Sequence, residues 1–269
     1  MGTKLTVLGT VSPYPVKDKN CPGFLIKYGK YNILLDCGNG ATRLMNMRED
    51  LENLKIFITH LHPDHYGDLT ALLQHIYVLR RYGLLRSSIE LFFPKTTETE
   101  KRTWEDEEGF AMSGLFETES VDSKLIKKYA ELAAVEVHEH EGINAYYDDL
   151  NIRNTKVPHS IESYAYRVET KDGVITYSGD TGPDNNLRKL AENSDIFICE
   201  STFLPGEPRL SEHLYSTEAA EIARDANVQK LLLTHFWPEQ DREKYVQGAR
   251  NIFPNTEVAV EGKSYVIRR

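Results

Sequence analysis

The sequence predicts an α/β protein in which two β-sheets pack face to face and helices cover their outer sides. Three observations carry this. Short β-rich runs ending at Gly, Asp or Pro alternate with helical patterns along the chain. The second half repeats the rhythm of the first without repeating its sequence. "LKIFIT", residues 54–59, is a continuous apolar run of the kind found in strands covered on both faces. A chain of 269 residues suits one large domain, 1–269, or two intimate halves. At that length roughly 75% of the unfolded chain's surface can be buried.

Taken in order, residues 3–9, 23–28 and 31–36 read as strands, with "YGKY" as the hairpin turn between the last two. After the strand 54–59, Leu69, Leu72, Leu73, Ile76 and Leu79 share one face of a helix expected over 68–82, with Asp68 as its N-cap. A strand follows at 89–93. Further strands are expected at 150–157, 163–169, 173–178, 196–200 and 229–234, and helices near 185–192, 217–226 and 240–251. Ser216 or Thr217 can cap the second of these helices, where Glu218 favours the positive end. The stretch 94–131 stands apart as a polar excursion carrying Trp104, Phe110, Met112 and Phe116. Either it packs as helix on its own domain, or those apolar residues build a lid or an oligomer contact.

Composition excludes several classes. Hydrophobic residues make up 40% and charged residues 27%, with no biased tract. No apolar run approaches the ~18 residues of a membrane helix, and "MGTKLTVLGT" reads as a strand rather than a signal peptide. Cys21, Cys37 and Cys199 are odd in number and form no CxxC, which reads as reduced thiols in a cytoplasmic protein. A net charge of −9 without a Lys/Arg cluster argues against a bulk nucleic-acid surface.

Three of the nine histidines fall in "THLHPDHYGDL", residues 59–69. There His60, His62, Asp64 and His65 occupy six positions where the chain leaves a strand in a turn stiffened by Pro63. Neutral imidazoles clustered beside a carboxylate are expensive unless a cation binds them. The set suits zinc, iron or manganese. Three more candidates end predicted strands: His159 in "VPHS", Asp180 in "YSGDTG" and His235 in "LLLTHF". Seven ligands suffice for two divalent metal ions sharing one carboxylate, an arrangement that activates water for hydrolysis.

The order HxHxDH, then His, then Asp in "SGDT", then His in "LTH" resembles the metallo-β-lactamase superfamily over nearly the whole chain, with Asp36 in "LLDCG" matching its first motif. The resemblance implies a four-layer αβ/βα sandwich with a dinuclear, usually zinc, site between the sheets. It implies His60, His62 and His159 on one metal, Asp64, His65 and His235 on the other, and Asp180 bridging. "CESTF" and "HLYSTEAAEIARDANVQKLLLTHF" are similar to ribonuclease Z, the tRNA 3′-processing endonuclease, and place Glu200 and His213 with Asp64 among the catalytic residues. Cys199 and the Leu-Tyr after His213 depart from that enzyme's motifs. Only 20 residues separate His159 from Asp180, too few for its tRNA-clamping arm. The resemblance is therefore to short, armless ribonuclease-Z-like hydrolases, and it implies a small or cyclic phosphodiester as substrate. Carboxylic esters, lactones and thioesters are the rivals for the same ligands. tRNA processing is the other, for which a homodimer could supply an arm in trans.

Other residues are read as structural. His138 and His140 alternate with glutamates, as on a solvated strand face, and His75 is a packed or edge residue of its helix. Asp36 either orients a ligand imidazole or caps a turn.

Overall fold

The computed structural model describes residues 2–95 and 119–268. Its first half contains β1 (Thr3–Gly9), β2 (Gly23–Tyr28), β3 (Tyr31–Leu35), β4 (Leu54–Phe57), the single helical turn α1 (Pro63–Tyr66), α2 (Leu69–Arg81), β5 (Glu90–Pro94), α3 (Glu119–Leu132) and β6 (Glu136–His140). The second contains β7 (Asn144–Tyr147), β8 (Leu150–Val157), β9 (Ser163–Thr170), β10 (Gly173–Tyr177), α4 (Asn185–Ala191), β11 (Ile196–Glu200), α5 (Ser216–Asp225), β12 (Leu231–Thr234), α6 (Arg242–Ile252), β13 (Thr256–Val258) and β14 (Ser264–Ile267).

These strands form two seven-stranded sheets, ordered β14-β1-β2-β3-β4-β5-β6 and β13-β12-β11-β10-β9-β8-β7. In each sheet an antiparallel part passes into a parallel part, β3 to β6 in one and β10 to β13 in the other. Parallel neighbours need crossovers, and the helices supply them on the outer faces. β2 shows why apolar runs rather than alternation mark these strands. Phe24 and Ile26 face the other sheet, where they meet Tyr164, Tyr166, Ile175 and Ile198. Leu25 points outward into the cluster that α2 and α3 cover with Leu69, Leu73, Ile76 and Ile126. On the far side Phe197, Leu231 and Leu233 pack under Leu187, Ala219, Ala223 and Val246 of α4, α5 and α6. The expected four-layer αβ/βα sandwich is the architecture found.

The "YGKY" turn forms as expected, with Gly29 at φ 56. Three local expectations need correction. The strand at 54–59 ends at Phe57, because the chain must leave the sheet to begin the histidine turn. Asp68 holds the N-cap position of α2 without capping it: its carboxylate accepts instead from the Thr42 N–H (3.1 Å) and hydroxyl (2.6 Å). Tyr215, not Ser216 or Thr217, precedes α5, and Glu218 reaches back to accept the Tyr215 N–H at 2.8 Å. In the 94–131 excursion, α3 packs Ile126 and Ala130 on its own core. Trp104, Phe110, Met112 and Phe116 lie outside the described residues.

Of the two β6 histidines, half-buried His138 keeps a solvated side beside Glu136, whereas His140 does not sit on a solvated face. Glu136, His138 and His140 share one face of β6, and Val137 and Glu139 the other. His138 stacks on Phe92 at 4.4 Å, and His140 is buried. Asn154, whose Oδ1 is held by the Ile143 N–H, donates to His140 Nδ1 at 3.4 Å. His140 Nε2–H donates to the Tyr166 hydroxyl (2.8 Å), which donates to the Ile58 carbonyl. This network has no acceptor for a second ring proton, and burial holds the His140 pKa down at about 4. As pH falls below ~6.5 the unfolded chain takes up this proton while the folded chain does not, so stability is lost from there towards pH 4. Urea denaturation should show wild type losing about 1.5 kcal/mol relative to His140→Gln between pH 6.5 and 5. Parallel pH profiles would refute the assignment.

Candidate metal centre

The candidate residues converge at the carboxyl ends of the central strands, where open α/β sheets place their ligands. The chain leaves β4 extended, so His60 and His62 alternate. Pro63 then starts α1 in the favoured first helical position, and that turn brings Asp64 and His65 back beside His60. His159 follows β8, Asp180 follows β10, Glu200 ends β11 and His235 follows β12. Close packing demands glycine at two places. A Cβ on Gly38 would lie 2.1 Å from the Asp64 carbonyl oxygen, and one on Gly179 (φ 57) would lie 2.9 Å from Thr59.

All seven expected ligand residues meet, in two groups. His60, His62, His159 and Asp180 offer ligand atoms within 4.8 Å of one another, and so do Asp64, His65 and His235. Asp180 touches both groups: its Oδ2 lies 3.7 Å from His60 Nε2 and 3.0 Å from His235 Nε2, and its Oδ1 lies 3.3 Å from His65 Nε2. His213 also falls within 4.8 Å of Asp180 and His235.

Hydrogen bonds behind the rings fix which nitrogen faces the centre. The Thr59 hydroxyl donates to Asp36 Oδ2 and accepts from His60 Nδ1 at 2.9 Å. His65 Nδ1–H donates to Asp36 directly at 2.7 Å, and the Tyr177 hydroxyl, from the other sheet, donates to the same oxygen at 2.8 Å. Asp36 therefore orients imidazoles rather than capping a turn. A second relay mirrors the first. The Thr202 hydroxyl donates to Glu200 Oε2 and accepts from His235 Nδ1 at 2.8 Å, while His213 Nδ1–H donates to Glu200 Oε1 at 2.9 Å. His159 Nδ1–H points at the Glu212 carbonyl, 3.3 Å away. Asp36 (φ 57) and His235 (φ 64) hold left-handed backbone, strain of order 1–3 kcal/mol each that these hydrogen bonds sustain.

The donor set fits divalent cations. His60 Nε2 and His159 Nε2, both lone-pair nitrogens, flank His62 Nδ1 at 3.0 and 3.1 Å. A single ring proton on His62 can satisfy only one of those contacts. His65 Nε2 and His235 Nε2 face each other at 3.3 Å, and Asp180 Oδ1 is buried without a hydrogen bond. Burial lowers His60, His62 (to about 3) and His159. Burial also opposes the charge of Asp180 and Asp64, but the facing histidines outweigh it and keep both carboxyls ionised, Asp64 at about 2. The resulting buried negative charge overrides burial at His65 and at His235, which is raised to about 10. The centre thus calls for positive charge, which cations on the same lone pairs supply. At His213 burial lowers the pKa, the Glu200 carboxylate raises it, and the net shift is upward.

Sequence reasoning missed Ser12, Thr59, Tyr177 and Thr202. The buried Ser12 hydroxyl donates to Asp64 Oδ2 at 2.8 Å. The only local signals were that Thr59 precedes His60 and that Thr202 closely follows Glu200.

Residues 31–236 match a family described as the Beta-lactamase superfamily domain, and the chain belongs to the metallo-β-lactamase superfamily, as a metal-dependent hydrolase. Within it, this is a short ribonuclease-Z-like protein without the tRNA-binding arm: only the β9–β10 hairpin separates His159 from Asp180. It is 28% identical to the ribonuclease Z of Clostridium acetobutylicum over 98% of this chain and 97% of that one. It is 30% identical to that of Archaeoglobus fulgidus over 95% of each. Among solved structures, the metallo-β-lactamase fold protein YhfI of Bacillus subtilis superposes with a TM-score of 0.79 at 19% identity, covering 98% of this chain and all of that one. The short form of human tRNase Z superposes at 0.73 with 22% identity, covering 99% of this chain and all of that one.

Proposed function

We propose that this protein hydrolyses a small or cyclic phosphodiester at two divalent metal ions, zinc foremost. His60, His62 and His159 would hold one ion, Asp64, His65 and His235 the other, and Asp180 both. Bound there, the ions supply Lewis acidity that makes water nucleophilic near neutral pH and neutralises phosphoryl oxygens. Asp36 and Thr59, Glu200 and Thr202, and Ser12 hold the donor atoms in place. The observation that carries the reading is the pair His213–Glu200. His213 donates its Nδ1–H to Glu200 in a hydrogen bond and stacks 5.5 Å from His235, placed to protonate a departing alkoxide. Carboxylic esters, lactones and thioesters remain rivals for the same centre. The named ribonuclease Z relatives favour phosphorus, because RNA cleavage is phosphodiester chemistry. A panel of bis-nitrophenyl phosphate, cyclic nucleotides, a lactone and a thioester, run with zinc or manganese, decides. Turnover of the carbonyl substrates alone would overturn the proposal.

Those relatives also favour a second reading, 3′ processing of precursor tRNA. The missing arm and the net charge of −9 oppose it. Precursor tRNA should be a poor substrate, with binding that is weak and only shallowly dependent on salt. Efficient 3′ cleavage at physiological salt would promote the tRNA reading. All three cysteines are buried free thiols, which supports assigning the protein to the reducing cytoplasm. Among the described residues no helix is long and apolar enough to cross a membrane.

A further inference from the structure

Two loops of the centre each end in an exposed aromatic ring. Ser12 donates to Asp64, and two residues on stands Tyr14, 41% exposed. His235 follows β12, and two residues on stands Trp237, 45% exposed. Two residues span at most roughly 7 Å of chain, so each ring is rooted close to the metal-site groups. The rings meet edge to face, 6.1 Å apart with their planes at 75°. Such a pair uses one face of one ring and leaves the other faces to a ligand. The platform is also held in place. The Ser12 N–H donates to the Phe236 carbonyl at 3.0 Å, Lys19 donates to the Pro238 carbonyl at 2.9 Å, and the Tyr14 hydroxyl donates to Glu239 at 2.8 Å. Tyr77, Tyr82 and Tyr146 are exposed as well, and what sets Tyr14 and Trp237 apart is that they meet each other beside residues of the centre.

We propose that Tyr14 and Trp237 form a subsite that stacks a nucleobase, so that the phosphodiester taken at this centre is a small nucleotide. This rests on the phosphodiesterase reading and narrows its substrate class. Base–aromatic stacking is strong and tolerant of base identity, because every base has a π-face. Two rings are far too small for a protein interface, which needs on the order of 1,000 Å². A rigid, pre-formed pair loses little freedom on binding a planar ligand.

The test is calorimetric binding of adenosine monophosphate and of ribose 5-phosphate to the zinc-loaded full chain. Wild type should bind the nucleotide about tenfold or more tightly than the sugar phosphate. Trp237→Ala should abolish that preference, Trp237→Phe should keep most of it, and metal content should be the same in all three. Equal binding of the two probes to wild type, or a preference that survives Trp237→Ala combined with Tyr14→Ala, overturns the subsite. The parent reading fails separately. Wild type that prefers the nucleotide yet cleaves no nucleotide diester leaves the subsite standing and removes the phosphodiesterase. Wild type that cleaves diesters with and without a base equally well, and shows no binding preference, does the opposite.

Discussion

Alanine at Asp180 should strip both metal positions, whereas alanine at His60 should strip one. Asp180 is the only one of the seven candidate ligands whose carboxylate lies against both groups, with Oδ2 between His60 and His235 and Oδ1 against His65. Its removal would take a negative donor from both groups, and with it the shared anion that would screen two like-charged ions held there. His60 belongs only to the group with His62 and His159, and its loss leaves Asp64, His65 and His235 intact. Elemental analysis of protein purified without chelator should find close to two ions per chain in wild type, about one in His60→Ala and well under one in Asp180→Ala. Activity should fall in both by more than the ~10–100-fold that losing a residue which merely orients a ligand produces. Thr59→Val, which cuts the Asp36 relay to His60 while sparing every ligand, should fall within that smaller range. Two ions retained in Asp180→Ala would rule out the bridging role. Fewer than one in reconstituted wild type would end the dinuclear proposal.

His213→Ala should slow substrates in proportion to how badly their leaving group needs a proton. An unactivated alkoxide leaves poorly, and a placed proton donor contributes ~10²–10⁴-fold. Nitrophenolate departs as a stable anion and needs none. His213 is suited to the task by its surroundings: although burial disfavours the imidazolium, Glu200 raises the His213 pKa and its hydrogen bond orients the ring. Glu200 is itself fully buried and accepts N–H groups from Thr181 (2.9 Å), Thr202 and Leu214 (3.2 Å each), so it cannot swing away. The measurement is kcat/KM of His213→Ala on alkyl and nitrophenyl phosphodiesters, with metal content alongside. A loss of that order on alkyl diesters, a small loss on nitrophenyl esters and unchanged metal would assign the proton to His213. Equal slowing of both would mean that His213 only pins the 203–214 loop to Glu200. Loss of metal would make it a ligand, a role its 4.8 Å approach to Asp180 and His235 leaves within reach.

Much of this site was legible in the chain because its chemistry is local. His60, His62, Asp64 and His65 are candidate ligands on one turn, and their spacing shows that an extended step followed by a helical step will gather them. Strand and helix periods likewise set the elements around them, since apolar side chains obey those periods wherever a face is covered. The sequence did not say which face of β6 would be covered. A period of two defines two sides but not the neighbour, so the outcome for His140 waited on the second sheet, where Tyr164 and Tyr166 stand. Nor did it reveal Ser12, Thr59, Tyr177 and Thr202 as the groups that aim the ligands. A hydroxyl has no pattern of its own. It acquires a role only through the acceptor opposite, and for Tyr177 that acceptor, Asp36, lies 141 residues away on the other sheet. The tautomer of each imidazole, and with it the nitrogen offered to a metal, is a property of those long-range hydrogen bonds. It therefore came into being only when the two sheets closed on each other.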